Sequence, residues 1–340
     1  MRKMSKVFIL IMALCLALSL TACSTGNSNG SSHSSNQKLK IAFIPQLIGI
    51  PYFTAMQNGG NEAAKKFGAQ FIYSGATQAS AQKQVQIMDS LIRQKVDALS
   101  ISVLDSSSIN PEIAKAKAAG IKVYTADSDS ATSERSTYVA QATDKALGYT
   151  LIDRLAKQLN GKGQVGIISG ESTATNLNTW IKYMKERAAS KYPNLKIVEV
   201  RYTSGGSSED AMNQAQELMS KYPSMKGLVA VASSAVPGVA QAVQKANKVG
   251  KIAVIGYGSP KTVKPFIKSG VMKESILWNA KDLGYLTVWA GIQLAKGNKF
   301  KAVNHVPGLS NPVKYDSKTK VLLLGPPLVI NKDNVNNYGF

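Results

Sequence analysis

From Leu39 onward, short β-rich apolar runs alternate with amphipathic helical stretches, and this alternation constrains the fold more than any other feature of the chain. The first run, Leu39-Lys40-Ile41-Ala42-Phe43-Ile44, is stopped by Pro45 and followed by a helical period over 52–67 that breaks at Gly68. A strand at 70–73, a helix at 80–93 with Val85, Met88, Leu91 and Ile92 on one face, a strand at 97–103, a helix at 109–119 ended by Gly120 and a strand at 121–126 complete a first set. Strands separated by helices cannot be joined as hairpins, and right-handed crossovers turn them into a parallel sheet covered on both faces. Near Asp144 the pattern starts afresh, with helices at 146–159, 178–190, 208–221 and 236–247 and strands at 164–169, 196–202, 227–232 and 251–257. Residues 275–296 again read strand then helix, so the chain is expected to cross between the two units more than once. The fold class is therefore α/β: two doubly wound parallel-sheet lobes joined by a multi-crossover hinge.

The segment before Leu39 belongs to neither lobe. Arg2, Lys3 and Lys6 form a basic start, and residues 7–20 are an apolar run shorter than the ~20 residues a membrane-spanning helix needs, the pattern of a cleaved signal peptide over 1–22. The run ends in Leu20-Thr21-Ala22-Cys23, which resembles the lipobox of bacterial lipoproteins and implies cleavage before Cys23 and lipid attachment to its thiol. The other cysteine, Cys15, lies inside the leader, so no disulfide is expected. Residues 23–37 are rich in Ser, Asn and Gly and read as a flexible tether. The expected location is the extracytoplasmic face of a bacterial cell membrane, with Cys23 as the anchor.

The net charge of +21 falls by three when the leader is removed, which raises the question of a nucleic-acid partner. The lysines are spread along the chain, most of them at polar positions of helices, and no basic stripe is interleaved with aromatics. A solvated basic surface, suited to an anionic membrane or cell wall, accounts for the charge; nucleic acid is not an expected partner.

In open α/β sheets ligands bind outside the carboxyl ends of the strands, which directs attention to a few loops. After the first strand, Gln46 offers a neutral hydrogen-bonding side chain, and Tyr52 and Phe53 offer aromatic plates suited to the C–H face of a sugar; the same rings would equally begin a helix by packing inward. Asp127-Ser128-Asp129 ends an apolar run, and a carboxylate there accepts strong hydrogen bonds from vicinal hydroxyls, the alternatives being a helix cap or a turn. In the second half the polar loop over 169–180 carries Asn176 and Asn178, the loop after Val231 and Ala232 carries Ser233, and Trp278 with Asn279 stands where the chain recrosses. No P-loop and no Gly-x-Gly-x-x-Gly follows a strand, Ser169-Gly170 lacks a nucleophile elbow, and of the two histidines His33 is in the tether and His305 is isolated. No catalytic residue, metal or cofactor is expected; the reading is a binding protein, not an enzyme.

Ile41-Ala42-Phe43-Ile44-Pro45 with Tyr52-Phe53, the run from Val123 to Asp129, and Ile255-Gly256-Tyr257-Gly258-Ser259-Pro260 leading to Leu277-Trp278 resemble the type I periplasmic-binding-protein family of the sugar ABC importers. Within it, Asn178-x-Trp180 and the C-terminal run from Val329 through Tyr338-Gly339-Phe340 are similar to the autoinducer-2 receptors and their rhamnose-binding relatives. The resemblance implies a first lobe of 38–141 with 279–306, a second lobe of 142–278 with 307–340, and capture of a small sugar-like polyol by hinge closure. It implies delivery to an ABC permease by a monomer; a module presenting its closed form to a membrane receptor or kinase is the alternative. Of the residues that hold autoinducer-2 in those receptors, only Asp127 is kept. Gln46 replaces a lysine, Asn176 and Leu177 replace an aspartate and a glutamine, and Val231 and Ser233 replace a proline and an alanine. The expected ligand residues are Gln46, Phe53, Asp127, Asp129, Asn176, Ser233 and Trp278.

Overall fold

The computed structural model describes residues 38–340; the leader, Cys23 and the tether lie outside the described residues. The chain opens with β1 (Lys40–Ile44), α1 (Pro51–Phe67), β2 (Gln70–Tyr73), α2 (Ala81–Arg93), β3 (Ala98–Ile101), α3 (Ser106–Ala118), β4 (Lys122–Ala126) and β5 (Tyr138–Ala140). Pro51 starts α1 where a missing N–H costs nothing, and Gly68 ends it in the left-handed conformation at φ 71°. Ser80 and Asp105 cap α2 and α3, accepting from the N–H groups of Lys83 at 3.3 Å and Ser108 at 2.7 Å.

The second lobe runs through α4 (Asp144–Gln158), β6 (Gly163–Ile168), α5 (Thr175–Lys191), β7 (Leu195–Arg201), α6 (Ser208–Lys221), β8 (Met225–Ala230), α7 (Ala235–Lys245), β9 (Ala253–Gly256), α8 (Pro260–Lys268) and β10 (Glu274–Leu277). The chain then returns as α9 (Ala280–Ala295), β11 (Val303–Asn304), β12 (Val313–Asp316) and β13 (Val321–Leu323), and crosses a last time to β14 (Leu328–Asn331). The first sheet is ordered β11-β12-β13-β5-β4-β3-β1-β2 and is parallel from β13 to β2. The second is the parallel set β7-β6-β8-β9, and β10 pairs antiparallel with β14 beside it. Each parallel set reverses direction of growth between its first and third strands, β1/β3 and β6/β8, and these are the crevices where an α/β sheet accepts a ligand.

The assignment of 307–340 to the second lobe is corrected over its first half. β13 pairs in parallel with β5 through Val321↔Tyr138 and Leu323↔Ala140, and β12 and β11 extend that edge antiparallel, so all three strands belong to the first sheet. The residues from Val313 to Leu323 are short alternating runs between polar turns, and the edge of the first sheet satisfies their backbone groups; only β14 returns to the second lobe. The three connections between lobes are thus residues 141–143, 278–279 and 324–327. The short β5 carries too little apolar pattern to register in the sequence, and α8, which buries Val263, Phe266 and Ile267, is masked by Pro260 at its start and Pro265 inside it.

The return helix is fastened to the first lobe without intervening side chains. A Cβ on Gly59 of α1 would stand 1.8 Å from the Lys281 carbonyl oxygen, and one on Gly284 of α9 would stand 1.9 Å from that of Met56. Small residues on both faces let the two backbones touch, which holds the N-terminus of α1, and with it Tyr52, directly against the second interlobe connection.

Candidate functional site

The carboxyl ends of both sheets meet in a narrow cleft lined by residues of both lobes. At its centre Asp127 follows the last residue of β4 with φ +68°, a left-handed conformation that aspartate tolerates better than most side chains. The turn is held by a hydrogen bond from the Asp127 N–H to the Val139 carbonyl at 3.1 Å and by one from the Tyr138 hydroxyl to the Asp127 carbonyl at 3.0 Å. It leaves Asp127 only 3% exposed.

Both carboxylate oxygens are engaged. The Tyr52 hydroxyl donates to Oδ1, and the Ser102 hydroxyl donates to Oδ2 at 2.5 Å. Tyr52 in turn accepts from the Trp278 indole N–H at 3.0 Å, so a chain of hydrogen bonds runs from the second interlobe connection to the carboxylate. Burial pushes the Asp127 carboxyl up to about 6 from its ordinary 3.8, and the two hydroxyl donors, which favour the ionised form, limit the rise. Burial and the neighbouring Asp127 charge hold the Tyr52 hydroxyl well above its usual range, so it remains a donor.

Gln46 sits just beyond β1. Its amide nitrogen donates to the Val103 carbonyl at 3.2 Å and lies 3.5 Å from the Asn176 side-chain oxygen, which belongs to the opposite lobe. Two further contacts cross the mouth: the Ala79 N–H donates to the Gly205 carbonyl at 3.2 Å, and the Ser106 and Thr175 hydroxyls lie 3.3 Å apart. The lobes are therefore closed on each other. The second lobe also supplies Ser233, whose hydroxyl donates to the Tyr257 carbonyl at 2.6 Å.

A run of aromatic rings walls the cleft from one lobe to the other. Phe53 meets Tyr52 at 5.0 Å, Tyr52 meets Trp278 edge-on at 5.7 Å, Trp278 meets Trp180 at 5.8 Å, and Trp180 meets Tyr257 at 4.9 Å. The Trp180 N–H is directed away to Asp144 at 2.7 Å, so this ring presents carbon to the cleft. Burial raises the Asp144 carboxyl, and the indole donor offsets part of that.

Of the seven expected ligand residues, Gln46, Phe53, Asp127, Asn176, Ser233 and Trp278 all line this cleft. Asp129 does not. It forms a two-point ion pair with Arg135, at 2.5 and 2.7 Å, accepts from the Thr125 hydroxyl at 2.5 Å, and lines a separate groove. The left-handed turn at Asp127 sends two carboxylates that stand two residues apart to different faces, and Arg135 fixes the second as a structural pair. Asn178 closes its own loop by donating to the Ser172 carbonyl at 2.7 Å. Asn279 caps α9, accepting from Lys281 and Asp282 at 3.1 Å. Sequence reasoning missed Tyr257 and Trp180 as parts of the wall and Ser102 as the buried donor behind Asp127, and took Tyr52 for a bare aromatic plate. Ser102 and Tyr257 stand at strand ends where the rule for open sheets points. Nothing in the sequence announced the hydrogen bond from Tyr52 to Asp127, 75 positions away.

Two lobes with a cleft at their strand ends, one buried carboxylate and an aromatic wall define a solute-binding protein. The family model "Periplasmic binding protein domain" matches residues 41–299, and the chain belongs to that family, as a type I binding protein of the sugar ABC importers. It is 28% identical over 247 residues to the D-ribose/D-allose-binding protein of Pseudomonas aeruginosa, covering 69% of this chain and 75% of that one. To the ribose import binding protein of Bacillus subtilis it is 26% identical over 291 residues, covering 84% and 90%. Among solved structures, LsrB from Clostridium saccharobutylicum in complex with AI-2 superposes with a TM-score of 0.83 at 26% identity, covering 89% of this chain and all of that one. A solute-binding protein from Clostridium phytofermentas with bound L-rhamnose has the same TM-score at 24% identity, covering 89% and 98%, and shares the fold. These relatives are sugar-binding transport proteins; the chain is a binding component and not an enzyme. Periplasmic binding proteins act outside the cytoplasm, and no helix among the described residues is long and apolar enough to cross a membrane.

Proposed function

We propose that the protein captures a small sugar-like polyol, autoinducer-2 or a rhamnose- or pentose-type sugar, between its lobes and presents the closed form to the permease of an ABC importer. The observation that carries this reading is Asp127: a buried carboxylate at the crevice of the first sheet, with one hydrogen bond on each oxygen and a second lone pair left on each for vicinal hydroxyls. Gln46 and Asn176, in contact across the lobes, add an amide from each side. Phe53, Trp180 and Trp278 supply the apolar faces against which sugar C–H groups pack. Because these groups come from both lobes, a ligand touching all of them binds the closed arrangement better than an open one, and that difference drives closure. The protein works as a monomer, held at the membrane through lipid on Cys23 by the tether over 23–37, with lobes divided at 141–143, 278–279 and 324–327.

A thermal-shift screen of a sugar panel with autoinducer-2 identifies the ligand, since a molecule that binds only the folded state raises stability by RT ln(1 + [L]/Kd). Isothermal titration of that ligand into Asp127→Ala is expected to show at least a hundredfold loss of affinity with the far-UV circular dichroism unchanged. Undiminished affinity in the folded variant removes Asp127 from the site.

A further inference from the structure

Because the carboxyl ends of both sheets meet at the cleft, the amino ends of the second lobe's strands form the pole opposite it. Lysines that are spread along the sequence are gathered there by the fold. Strands β7, β6, β8, β9 and β10 lie side by side in that order. Each is entered through a lysine, in turn Lys196, Lys162, Lys226, Lys251 and Lys273. All five are exposed, and none meets a carboxylate among the described residues. Neighbouring strands stand about 4.8 Å apart, so the five entries make a row about 20 Å long.

The five helices leading into these strands, α4 to α8, each carry a lysine in the last turn as well. That placement alone is ordinary, since a helix C-terminus bears partial negative charge. The strand entries have no such partner, and no aspartate or glutamate occurs in any of the five turns. Two turns repeat one pattern, Lys191-Tyr192-Pro193-Asn194-Leu195-Lys196 and Lys221-Tyr222-Pro223-Ser224-Met225-Lys226. Leu195 and Met225 are buried and serve the fold; Lys196 and Lys226 are not needed by it. Lys191 and Lys221 lie over the rings of Tyr192 and Tyr222, at 5.3 and 5.4 Å, so the pole offers charge without a bare stacking face. Of the carboxylates nearby, Glu274 is held by Arg154, and Asp333 adjoins Lys332.

Like charges in adjoining turns repel one another, and an opposite charge laid along them removes that cost. A small anion meets one or two of these heads, whereas a chain of repeated anions meets the whole row. Lysine engages phosphate as a point charge without arginine's fixed fork, which makes such a contact loose and sensitive to salt. Lys38, where the described chain begins, adjoins the amino end of β1, at the other extreme of the molecule. The turns of the first lobe are basic too, but Asp97 stands among them, and Lys115 and Lys117 pair with Asp89 and Glu134.

We propose that the second-lobe pole is a docking face for a linear phosphodiester polymer lying outside the membrane. The choice of polymer over lipid rests on the anchor at Cys23, which holds the first-lobe pole toward the membrane and leaves this one facing away. Because the row lies within one lobe, opening and closing of the cleft leave it unchanged.

The test is titration of the protein, without its lipid, with poly(glycerol phosphate) and with vesicles of phosphatidylglycerol and phosphatidylcholine in equal parts. The polymer is expected to bind more tightly than the vesicles, equally well with and without a cleft ligand. Changing Lys162, Lys196, Lys226, Lys251 and Lys273 together to Gln should weaken polymer binding at least about tenfold and lower the slope of log affinity against log salt by about three. The same five changed to Arg should bind as the parent does, which separates lost charge from lost folding. Lys38, Lys65, Lys66, Lys95 and Lys122 changed together to Gln should alter affinity by less than about twofold. No polymer binding, an equal loss in the first-lobe variant, or tighter binding to vesicles than to polymer would overturn the proposal, and none of these bears on capture of a sugar in the cleft.

Discussion

The chemistry of the cleft is concentrated in one residue held in an uncommon backbone conformation. At φ +68° Asp127 turns its carboxylate inward, where burial makes ionisation costly and two hydroxyls make it affordable. The folded carboxyl titrates near 6 and the unfolded one near 3.8, so between those values the folded state holds more protons and this group's contribution to stability falls as pH rises. Denaturant titrations of the protein and of Asp127→Asn should therefore diverge. The stability of the protein relative to the variant is expected to drop by up to about 3 kcal/mol from pH 4 to pH 7, and a constant difference would mean Asp127 ionises freely. Ligand hydroxyls donate to the charged form, so affinity should weaken below about pH 6, by up to tenfold per unit, and stay flat with pH in Asp127→Asn. The sequence exposed Asp127 because it ends a strand-like run. It could not separate Asp127 from Asp129, because their fates are decided by a distant tyrosine in one case and by Arg135 in the other.

At the scale of elements, the helices legible in the sequence are those whose apolar stripe faces a sheet, such as α2 with Met88 and Leu91 buried. β5, β11, β12 and β13 were illegible because two to four residues carry no period, and their place is set by partner strands. The contact between α1 and α9 shows a similar limit. Gly59 and Gly284 read as weak helix positions, yet each lies against the backbone of the other helix. Gly284→Ala is expected to destabilise the fold by about 1–3 kcal/mol in urea titrations, because the new methyl must push the Met56 carbonyl away. Since α9 begins at an interlobe connection and α1 carries Tyr52, the same change should also weaken ligand binding. A variant as stable as the parent would show that the two backbones have room to part.

For the whole molecule, the two-lobed plan was legible because the βα alternation stops and restarts, while the third connection, expected at 306/307, stands at 324–327, which offers only Gly325 and two prolines between short strands. Closure is a property of this level alone. Ala79 with Gly205 and Ser106 with Thr175 hold the mouth by a few weak bonds, so most of the drive to close is left to the ligand. Small-angle scattering should show a smaller radius of gyration on saturation with the ligand. At a concentration a hundredfold above Kd, stability should rise by about 2.7 kcal/mol. An unchanged radius together with full stabilisation would mean that the free protein is already shut.

Two of the chain's three tryptophans, Trp180 on a helix of the second lobe and Trp278 in an interlobe connection, face each other in the cleft wall with ring centres 5.8 Å apart. The protein thus carries its own optical gauge. Their emission and the coupled near-ultraviolet signal of the paired indoles arise where a ligand would lie, so occupancy can be followed without a dye or a label, and Trp289, buried on α9, serves as the steady background.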